Sequence, residues 1–187
     1  MITLPQEVRS SLAGAAVIAA LLVGWIGRVA TIPAPDGGSI MAYGDWRVVC
    51  PARTKLDANC QLTQDFTDAR TGSTVLRFVV YGGTQTIDVV VPYNVLLPKG
   101  IGIKLDDRDI KTFPYRTCNL VGCLTTISTD SGFYANAVRA KTIIVSFVDV
   151  SGKPITRTLS DKGYADGMSA MRAAQAKRHS WIRRVLW

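Results

Sequence analysis

The chain has 187 residues, 48% of them hydrophobic, a formal net charge of +8 and four cysteines. Setting aside the first forty residues leaves about 145, enough for one domain that buries roughly 70% of its unfolded surface, so disulfides reinforce such a core rather than replace it. His179 is the only histidine, so a Ser-His-Asp or Cys-His catalytic site would have to draw on the C-terminal tail, and no Gly-rich phosphate loop or HExxH motif is present.

Residues Leu12 to Gly27 form an uncharged apolar run that Arg28 ends. Sixteen residues are short for a span, and the following VATIP segment would extend it if Arg28 snorkels. A helix apolar all round in a small protein implies export or anchoring. Residues 1–34 are therefore read as a signal peptide or a membrane anchor. A weakly basic start (Arg9 offset by Glu7) and Trp25 as an interfacial residue tilt the reading toward a retained anchor. Pro33, Pro35, Gly37 and Gly38 then mark a linker over residues 35–42.

The body, residues 43–171, reads as β structure. Glu7 is the only glutamate, and an acidic complement made of aspartate favours turns and caps over helix interiors. In Tyr43 to Cys50, Trp46, Val48 and Cys50 alternate with Arg47 and Val49, as in a strand; Cys60, Leu62 and Gln64 begin the next. Thr74 to Tyr81 and Gln85 to Val91 are apolar runs joined through Gly82-Gly83-Thr84, a hairpin signal. After a turn at Pro98-Lys99-Gly100, Ile101, Ile103 and Leu105 alternate as a half-buried strand. Asp106, Asp107 and Asp109 follow, but they lack calcium-loop spacing and are neutralised by Lys104, Arg108 and Lys111, so a tight turn is preferred to a metal site. Cys118 to Thr129 bends into another strand. Thr142 to Val150 and Ile155 to Leu159 flank a second hairpin signal at Ser151 to Pro154. Many short strands separated by turn signals predict an antiparallel β-sandwich, mainly β, with an N-terminal hydrophobic helix and a C-terminal helix.

From Ser160 onward the pattern becomes helical. Ser160 or Asp161 would cap the helix, and Tyr164, Met168, Met171 and Ala174 give its apolar stripe. The helix is read as continuing, basic, through Arg184, and residues 172–187 form a basic tail bearing tryptophans. Arg178, Trp181, Arg183, Arg184 and Trp187, with Trp25 and Arg28, are the candidate membrane or partner contacts.

Four cysteines allow three pairings. Cys50 and Cys60 lie on strands that could pair as a hairpin, and Cys118 and Cys123 enclose four residues with Gly122 at the turn. Bridges Cys50–Cys60 and Cys118–Cys123 are therefore expected. The rival, a zinc site of all four, fits the Cys118 pair but not the nine residues between Cys50 and Cys60.

YGDWRVVC followed by NCQLTQ resembles the opening of the invasion-associated locus B family. VPYNVLLPKGIGIKLDD, CNLVGC and LSDKGYADGMSAM resemble its later segments in the same order. The resemblance covers about Tyr43 to Met171, and its specificity lies in the ordered set. It implies an exported β-sandwich of the α-proteobacteria, linked in some pathogens to host-cell entry, from a family not known for a catalytic site. The matching positions are Gly44, Asp45, Trp46, Cys50, Cys60, Cys118, Gly122 and Cys123, all read as structural. The expectation is a non-enzymatic, extracytoplasmic interaction protein, with an accessory subunit of an inner-membrane complex as the alternative. It would sit on the periplasmic side of the inner membrane, or be secreted after cleavage. Its partners would be the membrane and other protein subunits or surface proteins. No catalytic residue, metal, cofactor, nucleic acid or small-molecule substrate is expected.

Overall fold

A computed structural model describes residues 17–24, 38–52, 58–128 and 132–179. The chain divides into two units: Met1–Asp36 with Ser180–Trp187, and Gly37–His179. In the first, residues 17–24 form a helix, α1, on which Val17, Ile18, Leu21, Leu22 and Val23 are all exposed. Among the described residues no helix is long and apolar enough to cross a membrane. The rest of the apolar run from Leu12 to Gly27 lies outside the described residues.

The second unit is an antiparallel sandwich. The larger sheet has seven strands in the order β1-β2-β3-β4-β5-β9-β8 and the smaller has four, in the order β11-β10-β6-β7. The larger is built from β1 (Ser39–Tyr43), β2 (Trp46–Cys50), β3 (Gln61–Thr67), β4 (Thr74–Tyr81), β5 (Ile87–Val91), β8 (Thr117–Asn119) and β9 (Gly122–Ile127). The smaller contains β6 (Ile101–Leu105), β7 (Lys111–Phe113), β10 (Ile143–Val148) and β11 (Pro154–Thr158). Two helices complete the unit, α2 (Phe133–Ala137) and α3 (Tyr164–His179).

Period-two alternation sets the core. Ile101, Ile103 and Leu105 on β6 and Ile143, Val145 and Phe147 on β10 face Leu76, Phe78 and Val80 on β4 and Ile87, Val89 and Val91 on β5 in one buried cluster. A one-residue slip would send each set to solvent, so burial fixes the register. Both glycine-marked hairpins form: β4 pairs with β5, and β10 with β11.

Two local features depart from the sequence expectation. Strand β1 occupies residues read as linker and pairs along its whole length with β2. Helix α3 begins at Tyr164 rather than directly after Ser160 or Asp161, because a separate turn precedes it, closed by Tyr164 N donating to Asp161 O at 3.1 Å and by Ser160, whose Oγ accepts from Lys162 N at 3.2 Å. The Ser160 hydroxyl donates to Asp45 Oδ2 at 2.7 Å. As the basic continuation of its stripe implied, the helix runs on through Arg172 to His179. The aspartate cluster is a tight turn: Asp106 adopts φ 51°, and its Oδ1 accepts from the backbone N–H groups of Lys141 and Thr142, each at 2.9 Å.

Candidate functional site

The GDW tripeptide docks on one turn near the far end of the domain. Gly44 adopts φ 56°, and a Cβ there would strike the Lys162 carbonyl. Asp45 N donates to that same Lys162 oxygen at 3.1 Å. Trp46, 1% exposed, donates its indole N–H to Ser160 O at 2.7 Å. Its ring packs edge-on to Phe78 at 6.2 Å and against Tyr164 at 4.8 Å. Gly163 returns the close approach, since a Cβ there would meet the Tyr43 carbonyl. Two segments separated by more than a hundred residues thus close on each other, and the buried indole N–H and the Asp45 N–H both find acceptors, as burial demands.

Two glutamines strengthen the seam, and the sequence reading did not single them out for it. Gln64 accepts from Ser160 N at 3.0 Å. Gln175, on the same helix face as Met168 and Met171, accepts from Cys60 N at 2.7 Å and donates to Asn59 at 2.9 Å. A polar residue on the buried stripe of a helix was the available signal, because such a group is tolerated only with a partner. Burial pushes the Tyr164 phenol far up, and its hydroxyl donates to Ala137 O at 3.2 Å.

Both expected disulfides form. Cys50–Cys60 joins β2 to the start of β3 with Cα atoms 4.2 Å apart. Cys118–Cys123 joins directly opposed residues of the β8–β9 hairpin with Cα atoms 4.0 Å apart. All four thiols are consumed, so the zinc alternative has no ligands. Among the described residues no group of three or more His, Cys, Asp or Glu could hold a metal.

Of the expected contact residues, Arg178 is placed. Its guanidinium donates to Pro51 O at 2.7 Å, tying α3 to the end of β2. Trp25, Arg28, Trp181, Arg183, Arg184 and Trp187 lie outside the described residues.

The outer face of the larger sheet is not flat. A depression of 510 Å³ opens there, lined by Ile40, Arg47, Thr63, Asp65, Arg77 and Val79 among others. Arg47 Nη2 and Arg77 Nε each lie 2.7 Å from the Asp65 carboxylate. Both guanidinium-bearing side chains are about half exposed, whereas that of Asp65 is mostly buried. Thr63 and Val79 are buried although they point away from the sandwich core. Burial and then the neighbouring Asp88 carboxylate push the Tyr81 phenol up to about 12. The alternating charges of β2, β3 and β4 were visible in the sequence, but strand register alone brings Arg47, Asp65 and Arg77 together.

The seven-on-four sheets and the two short disulfide loops define a disulfide-bonded antiparallel β-sandwich closed by its own C-terminal helix. The family model described as "Invasion associated locus B (IalB) protein" matches residues 46–172, and the chain belongs to that family. It is 29% identical over 145 residues to the invasion protein B homologs of two Brucella abortus strains, covering 74% of this chain and 83% of theirs. The crystal structure of invasion associated protein B from Bartonella henselae has the same fold. It superposes with a TM-score of 0.61 at 17% identity, over 74% of this chain and 99% of that one.

Proposed function

We propose that the chain is a non-enzymatic interaction protein on the periplasmic side of the inner membrane, and that the outer face of its larger sheet takes a partner polypeptide. One observation carries the reading: a 510 Å³ depression sits on a sheet face that strand alternation would otherwise leave to solvated side chains. Arginines over buried aliphatic positions are a composition that protein interfaces favour. The test uses the full chain with Ile40→Asp and Arg47→Ala, crosslinked in its native membranes. The expected result is loss of a crosslinked partner with an unchanged melting temperature. An unchanged set of crosslinks would refute the assignment of this face.

A second reading, an accessory subunit of an inner-membrane complex, is favoured by α1, whose apolar side chains are exposed around its circumference. Such a helix suits lipid or neighbouring helices. Intact-mass analysis of the protein from native membranes tests it. Retention of Met1 together with co-migration in a detergent-solubilised complex supports it, and a free monomer starting near residue 35 counts against it.

A further inference from the structure

The β8–β9 hairpin turns through only two residues, Leu120 and Val121, since Asn119 and Gly122 are already paired. Two-residue hairpin turns favour Asn and Gly, and they are normally polar. Here the turn carries the two most exposed large apolar side chains of the Gly37–His179 unit, Leu120 at 101% and Val121 at 76%. The tip is also rigid. Cys118–Cys123 staples its base, Asn119 Oδ1 accepts from Val121 N at 2.9 Å, and a Cβ on Gly122 would run into the Val91 carbonyl. A position that keeps apolar residues against its own turn chemistry, on a fixed scaffold, points to a contact outside the chain.

The surroundings indicate which contact. The approach of Gly122 to Val91 sets the tip beside Pro92 and Tyr93, and Tyr93 is exposed. Asn94 O then accepts from Val150 N at 3.1 Å, bringing exposed Val150 to the same end. Antiparallel alternation puts Arg70, Lys99 and Lys153 at that end too, all exposed. Of the aspartates there, Asp45 accepts from Ser160 Oγ, and Asp68 and Asp149 are spent on their own turns. The backbone N–H groups of Thr71 and Arg70 hold the Asp68 carboxylate below the usual carboxylate range, and the Ser151 hydroxyl, then the Lys153 and Ser151 N–H groups, do the same for Asp149. An apolar and tyrosyl tip on an end that also carries exposed cations matches the chemistry of an anionic bilayer interface: apolar side chains enter the acyl boundary, and Lys and Arg reach phosphates.

We infer that this end of the sandwich, led by Leu120 and Val121, docks on an anionic lipid surface. The inference rests on the membrane-side placement proposed above and adds the orientation of the domain there. The test places the photocrosslinker p-benzoylphenylalanine at Leu120 or Val121 of the full chain in liposomes containing phosphatidylglycerol. The control position is Ile110, which is similarly apolar and exposed but lies at the opposite end of the sandwich. Lipid adducts at the tip, several-fold above those at Ile110 and reduced in pure phosphatidylcholine, are expected. Adducts equal at both positions, equal in both lipids, or formed in native membranes with a protein instead of lipid, would overturn the inference. The same mass measurement reads the N-terminus. A cleaved chain added to vesicles from outside still tests the tip, so failure of the anchor reading and failure of the docking inference are separate results.

Discussion

The two disulfide regions have similar signatures in the sequence and opposite settings in the fold. Around Cys50–Cys60 both cysteines are buried, Cys60 N is held by Gln175, and Pro51 accepts from Arg178. Around Cys118–Cys123 one cysteine is buried and the other exposed, on the edge strand of the larger sheet, and the enclosed turn shows its apolar residues to the outside. The first bridge belongs to the seam that seals α3 and the C-terminal turn onto the sheet. The second stiffens a projection. Equal covalent chemistry therefore serves integrity in one place and presentation in the other, and substitutions should separate the two.

The largest effect is expected at the seam. Trp46→Ala removes a fully buried indole and should cost about 3–5 kcal/mol, measured by urea unfolding; a cost below about 1 kcal/mol would mean the seam is dispensable. Next, the paired change Cys50→Ala and Cys60→Ala should cost about 3 kcal/mol from loop closure. Cys118→Ala with Cys123→Ala closes a shorter loop and should cost about 2 kcal/mol. Equal loss of seam protection in hydrogen exchange from both pairs would break the distinction between them.

Tyr164→Phe removes a neutral hydrogen bond and should cost about 1 kcal/mol near neutral pH. Its phenol is raised in the folded state by burial, as are those of Tyr81 and Tyr115, each up to about 12. The unfolded chain therefore releases these protons first. Stability should be level below the ordinary tyrosine value of 10.0 and fall as pH rises above it. Thermal melts between pH 8 and pH 11 should show this fall, and Tyr164→Phe should make it shallower. The smallest effect is expected at the tip, where Leu120→Ser with Val121→Ser should change stability by no more than about 0.5 kcal/mol, because those side chains leave solvent exposure for nothing within the domain. A large loss in the same urea assay would make the tip part of the core after all.

Local pattern was legible wherever a residue's neighbours in sequence decide its state. Alternation in Ile101 to Leu105 and Thr142 to Val150, the glycine-marked hairpins and both cysteine pairs follow from short-range geometry, and the structure contains them. Neither Ser160 nor Asp161 caps the helix, because both lie in a separate turn before it: Ser160 Oγ accepts from Lys162 N and the Asp161 carbonyl accepts from Tyr164 N, so the helix starts only at Tyr164. Strand β1 was missed because its proline- and glycine-rich approach resembles a linker, and only pairing with β2 makes residues 39–43 a strand.

The β class, the two bridges and the family were readable from the residues, since each depends on residue type and on spacing of a few positions. Tertiary structure alone decided that GDW meets the Ser160–Gly163 turn, that Arg47 and Arg77 share Asp65, and that Leu120, Tyr93 and Val150 come to one end. Those contacts join positions far apart along the chain. Their distances are set by strand register and by the packing of two sheets on one core, which no local run of residues encodes.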